Sequence, residues 1–67
     1  MNDEIKVWKT QNVKHKVAML LIMDGVSFRY TEDEGIVFTA PESYIHRFTE
    51  RLVTCYRCSV KPTFEEY

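Results

Sequence analysis

Several features are scarce in this 67-residue chain, and each scarcity excludes a class. Two cysteines do not make a disulfide scaffold. Two glycines and two prolines leave no room for a flexible linker or a low-complexity segment. No excess of basic charge exists, because nine Lys and Arg stand against ten Asp and Glu; a net charge of −1 gives no global field to attract nucleic acid. The longest apolar run, residues 17–23, is too short to span a bilayer. The start, Met1-Asn2-Asp3-Glu4, is acidic and lacks the apolar stretch of a signal peptide, so no membrane and a cytoplasmic location are expected. At 45% hydrophobic and 28% charged residues the chain is globular, and its length allows a single domain, 1–67, with a thin core.

What is present reads as two strand–helix–strand halves. Residues 4–9 alternate as strand 1, with Ile5 and Val7 on one side and Lys6 and Trp8 on the other. Helix 1 is expected to start between Thr10 and Asn12 and run to Asp24, where Gly25 supplies the stop. Its inner stripe is Val13, Val17, Leu20 and Leu21. Residues 26–31 alternate as strand 2, the polar turn Glu32-Asp33-Glu34-Gly35 closes a hairpin, and residues 36–39 form strand 3. Thr39-Ala40-Pro41-Glu42 fits a capping box that opens helix 2, whose inner stripe is Ile45, Phe48, Leu52 and Cys55. Residues 57–61 are expected as a short edge strand ended by Pro62, with residues 63–67 as a tail.

The β-α-β-β-α-β order resembles that of ferredoxin-like domains, an α+β class. That resemblance implies a four-stranded antiparallel sheet in the order 4-1-3-2 with two helices on one face. The step Leu20-Leu21-Ile22-Met23-Asp24-Gly25-Val26-Ser27-Phe28 looks like the helix-to-strand junction of small regulatory members of this class, ACT-type modules among them. ACT-type modules carry a glycine turn after strand 1 for an amino-acid ligand. Here that loop is Thr10-Gln11-Asn12, so no ligand residue and no cofactor is carried over.

Placed on that frame, Ile5, Val7, Val26, Phe28, Tyr30, Ile36, Phe38, Cys58 and Val60 are expected to meet the helices. Lys6, Trp8, Ser27, Arg29, Val37, Thr39, Arg57, Ser59 and Lys61 are expected on the open face. Two surfaces follow. Helix 1 is apolar nearly all round, and Met19, Ile22 and Met23 cannot all be inside once Leu20 and Leu21 are, unless helix 2 covers that flank. An apolar second side marks a contact with another protein or with a second copy, and Met suits adaptable contacts. Trp8 and Arg29 are candidates for a second protein contact.

The alternative is a single-stranded nucleic-acid platform in which Trp8 stacks a base and Lys6, Arg29, Arg57 and Lys61 hold phosphates. Gly35-Ile36-Val37-Phe38 looks like part of an RNA-recognition-motif strand, but Phe38 is expected to face inward. The competing reading has Phe64 and Tyr67 covering Trp8, and a fourth strand that fails to pair would remove Arg57 and Lys61 from the face.

Catalysis and metal binding find little support. Cys55-Tyr56-Arg57-Cys58 has the C-x-x-C spacing, but at the C-terminus of a helix, where the dipole does not favour a thiolate. His15 and His46 fall on different helices with no ligand spacing, and no nucleophile or carboxylate accompanies them. The acidic turn lacks the alternating ligands of a calcium loop. No metal and no catalytic residue is assigned. The expectation is a small non-enzymatic regulator, inhibitor or adaptor, of a kind that phages and mobile elements encode.

Overall fold

The computed structural model describes residues 3–57, 59 and 61–67. Six elements follow in chain order: β1 (Ile5–Thr10), α1 (Lys14–Met23), β2 (Phe28–Tyr30), β3 (Ile36–Pro41), α2 (Glu42–Thr54) and β4 (Glu65–Glu66). The strands form one sheet in the order β2-β3-β1-β4, antiparallel throughout. This is the expected order read from the other edge. Residues of both helices join same-face strand residues in a single apolar cluster, so the architecture is α+β with two helices against one side of the sheet.

β1 and β3 run side by side over six paired positions, from Ile5 opposite Pro41 to Thr10 opposite Ile36. The register reverses the expected faces of β1. Trp8 stands opposite Phe38, is only 8% exposed, and belongs to the core; Lys6 and Thr10 share its side. Ile5 and Val7 face the open side instead, both exposed. A strand with apolar residues on both faces does not choose its side by alternation alone, and a one-residue slip exchanges them. Trp8 decides the choice. Its ring carries roughly 150–250 Å² of burial, and its Nε1–H finds the Ala40 carbonyl oxygen at 2.8 Å, so the indole goes inside with no orphaned donor. Ile5, opposite Pro41 at the end of the strand, has no comparable site.

α1 begins later than expected, because Thr10 stays in β1 and Val13 occupies the N-cap in the left-handed region, at φ 44°, with no side-chain cap. Val17, Ala18, Leu20 and Leu21 are buried. The helix stops as Gly25 predicts. Gly25 sits at φ 73°, its N–H donates to the Ile22 carbonyl, and the Val26 N–H donates to the Leu21 carbonyl. That crossed pair satisfies two of the last carbonyls and turns the chain directly into β2.

At α2 the expected cap is displaced. Thr39 and Ala40 remain in β3 because β1 supplies partners for them, and Pro41 becomes the N-cap without a side-chain bond. Asp3 takes over. Its carboxylate accepts the Ser43 backbone N–H at 3.2 Å and the Ser43 hydroxyl, so an acid from before β1 closes the first turn of a helix 40 residues on. Ile45, Phe48 and Leu52 form the inner stripe as expected, whereas Cys55 is exposed.

The fourth strand lies elsewhere than expected. Arg57 adopts a left-handed φ of 51° and Ser59 a bend, which stops an extended run at 57–61 among the described residues. Cys58 and Val60 lie outside the described residues. Pro62 is buried and Phe64 packs edge-to-face on Phe38 and Phe48, with centroids 5.9 and 5.8 Å apart. Anchored there, the presumed tail supplies β4: Glu65 pairs with Lys9 and Glu66 with Trp8. Val26 and Phe28 pack on the core as expected, but Tyr30, opposite Ile36 on the helix side, is 62% exposed because β2 is an outer strand.

A domain of this size holds roughly 3–10 kcal/mol of stability. Trp8→Ala, at about 3–5 kcal/mol, is expected to leave most molecules unfolded, and Phe64→Ala, with a partly exposed ring, to cost about 2–3 kcal/mol. Urea titrations followed by far-UV circular dichroism measure both. A tail that contributed nothing would leave the Phe64→Ala midpoint at the wild-type value.

Candidate functional site

Three surfaces remain available once the core is formed. The first is the outward side of α1. Val17, Ala18, Leu20 and Leu21 already satisfy the sheet, yet Met19, Ile22 and Met23 are exposed by 39%, 67% and 64%. Apolar residues on opposite sides leave the helix with almost no amphipathic asymmetry, unlike α2, whose buried residues Ile45, Phe48 and Leu52 form one stripe on an otherwise mainly polar helix. At the margin of this surface Tyr56, two residues past the end of α2, brings its hydroxyl to the Met23 sulfur at 3.5 Å. The pattern required only that the three could not all be inside; all three are at the surface.

The second surface is the open face of the sheet. A row crosses all four strands: Glu65, Lys9, Val37 and Arg29 stand opposite one another in turn. The Tyr67 ring lies beside that row, 5.5 Å from Lys9 Nζ and 6.0 Å from Arg29 Cζ, a pair of cation–π contacts. Val37, although on the open face, is 4% exposed. Beside the ring an open cleft of about 460 Å³ is lined by Lys9, Arg29, Glu32, Asp33, Tyr30 and Tyr67, its two cations balanced by two carboxylates. At the other end of the face Ile5 and Val7 are uncovered. Alternation missed these two; the requirement that the single Trp be buried is the signal that finds them.

The third feature is the acidic turn, which is fastened rather than free. Asp33 accepts from Lys9 Nζ at 2.6 Å, from Gln11 Nε2 at 2.9 Å and from the Thr31 hydroxyl. Gly35 makes room for this. A Cβ there would stand 2.8 Å from Lys9 Cε and 3.2 Å from Gln11 Cγ. Lys9 first, then the Thr31 hydroxyl, draws the Asp33 carboxyl down to about 2. A matching knot ties the helices at the opposite end. Asp24 accepts two bonds from Arg51, at 2.9 and 3.1 Å, and one from the Tyr44 hydroxyl at 2.5 Å. Arg51 and then Tyr44 hold the Asp24 carboxyl below its usual range, while burial and then Asp24 push the Tyr44 phenol up.

The residues expected to form a nucleic-acid platform are not brought together. Trp8 is in the core and its ring offers no face for a base; Lys6 shares its side of the sheet. Arg29 is on the open face, and Arg57 and Lys61 are exposed on the segment between α2 and β4. Trp8 likewise cannot act beside Arg29 as a protein contact, since the two face opposite sides. His15 and His46 are exposed on separate helices, and Cys55 is exposed at the end of α2. Among the described residues no three His, Cys, Asp or Glu side chains converge as metal ligands, and no helix is long and apolar enough to cross a membrane. No protein-family model, curated protein or solved structure matches the chain.

The Asp33 latch has a pH signature. In the unfolded chain the carboxyl titrates at its ordinary 3.8 and in the fold at about 2. The folded value is the lower one, so the contribution is fully present above the unfolded value and is lost as pH falls from there toward 2. Asp33→Asn is therefore expected to flatten the acid side of the thermal-midpoint-against-pH curve, with the difference from wild type closing as pH drops through that window. Parallel curves down to pH 2 would show that Lys9 does not hold Asp33 in solution.

Proposed function

We propose that this chain is a small non-enzymatic binding protein, a regulator, inhibitor or adaptor of another protein, acting through α1. The outward side of α1 carries the reading: Met19, Ile22 and Met23 are exposed on a helix whose other side already fills its place in the core. Large apolar side chains clustered in water are rarely kept on a small domain without an occupant. Two methionines make the patch adaptable, since the thioether fits irregular surfaces without a fixed rotamer. The strand order supports a ferredoxin-like frame, on which sites vary freely and the fold names no chemistry. Its clefts are open and its histidines are unaccompanied, which favours binding over turnover. A cytoplasmic accessory protein, of the size that phages and mobile elements carry, fits this description.

The open face is the subsidiary contact in this reading, through Ile5 and Val7 beside Arg29 and Tyr67. The nucleic-acid alternative loses Trp8 and Lys6 from the open face and keeps Arg29, Arg57 and Lys61 as surface cations.

The experiment compares wild type with the Met19→Asp, Met23→Asp double variant as immobilised bait in host lysate, the captured proteins being identified by mass spectrometry. Both sites are exposed, so each substitution should change the unfolding free energy by about 0.5 kcal/mol or less. Affinity for the captured partner should fall by roughly 30-fold or more, the loss of a hot spot. Equal capture by a folded double variant would sink the assignment of α1.

A further inference from the structure

We infer that a second copy of this chain docks along the outer edge of β2, extending the sheet from four strands to eight. The inference rests on the premise of the proposed function that the chain works by protein contact, and its surface adjoins that one: Ile22 and Arg29 belong to both, Met19 and Met23 to the proposed function alone.

β2 is the outermost strand, so one side of Phe28–Tyr30 presents backbone N–H and C=O groups with no partner strand. Apolar surface lies beside that edge. Tyr30 faces the helix layer, opposite Ile36, yet is 62% exposed. On α1, Met23 and Lys16 reach Tyr56, two residues past the end of α2, by the 3.5 Å contact and by a 3.0 Å bond from Lys16 Nζ to the Tyr56 carbonyl. That flank therefore faces α2. Ile22 lies about 100° round the helix from Met23, on the flank turned away from α2. α2 stands on the β4 side through Phe48 and Phe64, so the flank carrying Ile22 overlooks the β2 edge. Ile22 is 67% exposed there.

Charge selects the occupant and the register. Arg29 has no carboxylate partner among the described residues, and it is followed by the turn Glu32-Asp33-Glu34, where only Asp33 is paired. An edge that is positive at its centre and acidic at one end complements itself when turned end over end. Two β2 strands pairing antiparallel about a two-fold axis meet this condition. Centring the pair on Arg29 would set two guanidinium groups directly opposite, which destabilises it. Centring it on Tyr30 places Arg29 opposite Thr31 of the second copy, beside its acidic turn, and does so twice. The two Tyr30 rings then meet on the axis in the helix layer, with Ile22 of each copy at their sides. A strand of three residues makes a weak, concentration-dependent dimer rather than an obligate one.

Sedimentation equilibrium tests this with the full chain. Wild type is expected to dimerise reversibly. Arg29→Glu should weaken the dimer about tenfold by facing the acidic turn with an acid, and so should the Glu32→Lys, Glu34→Lys double variant, which faces Arg29 with cations. All three positions are exposed, and circular dichroism confirms that each variant is folded. An equimolar mixture of the two variants restores every attraction and should dimerise like wild type. A wild type that stays monomeric at every accessible concentration overturns the proposal. So does an Arg29→Glu chain that dimerises unchanged, or a mixture that fails to recover. The Glu32→Lys, Glu34→Lys variant changes no residue assigned to partner capture, so capture of another protein through Met19 and Met23 persists whichever way this result falls.

Discussion

With Trp8 buried opposite Phe38 and its Nε1–H given to the Ala40 carbonyl, β1 can present only Ile5, Val7 and Lys9 to the open side of the sheet. The rest of the architecture follows from that register. Phe38 sits between Trp8 on one strand and Phe28 on the next, and its ring meets Phe48 of α2 and Phe64 of the closing segment. Phe64 in turn sets where the chain rejoins the sheet, so β4 pairs with Trp8 and Lys9 rather than forming earlier. A thin core depends heavily on few aromatic rings, because a small domain buries a low fraction of its surface.

Polar contacts hold the periphery of this core in place. Asp3 caps α2, Asp24 joins the C-terminal end of α1 to α2 through Arg51 and Tyr44, and Asp33 fastens the hairpin to Lys9 and Gln11 at the end of β1. Each is a carboxylate that gathers two or more donors from elements distant in sequence. All three lie near the surface, where individual ion pairs contribute little and are screened by salt. Their use is geometric: they hold loop and helix ends that the aromatic cluster does not reach.

The surfaces left over have distinct characters. α1 is apolar outward, the edge of β2 carries Arg29 and leads into the acidic turn, and the open face is a charged row beside the Tyr67 ring. Among the described residues His15, His46 and Cys55 stand apart from one another on these surfaces.

Much of this was legible in the sequence. Gly25 after an apolar helix stops that helix because only a residue tolerant of positive φ closes both crossed hydrogen bonds. The order of the first five elements, the buried Val17, Leu20 and Leu21 of α1 and Ile45, Phe48 and Leu52 of α2, the hairpin at Glu32-Asp33-Glu34-Gly35, and the excess of apolar residues around α1 are all local properties of periodicity and turn chemistry. Which face of β1 is buried was not local. Ile5 and Val7 against Trp8 is a contest between neighbours that only cross-strand partners decide. The cap of α2 was a similar case: Thr39 fits a capping box, but β1 claims it for the sheet, and Asp3, distant in sequence, replaces it. The fourth strand depended on whether residues 57–61 or Phe64 had a cavity to enter, which exists only after the helices pack on the sheet. Periodicity, turns and composition are written in consecutive residues, so the sequence by itself determined the first five elements and their order. Side-chain facing, trans caps and edge pairing depend on partners far along the chain, and only the tertiary structure decided them.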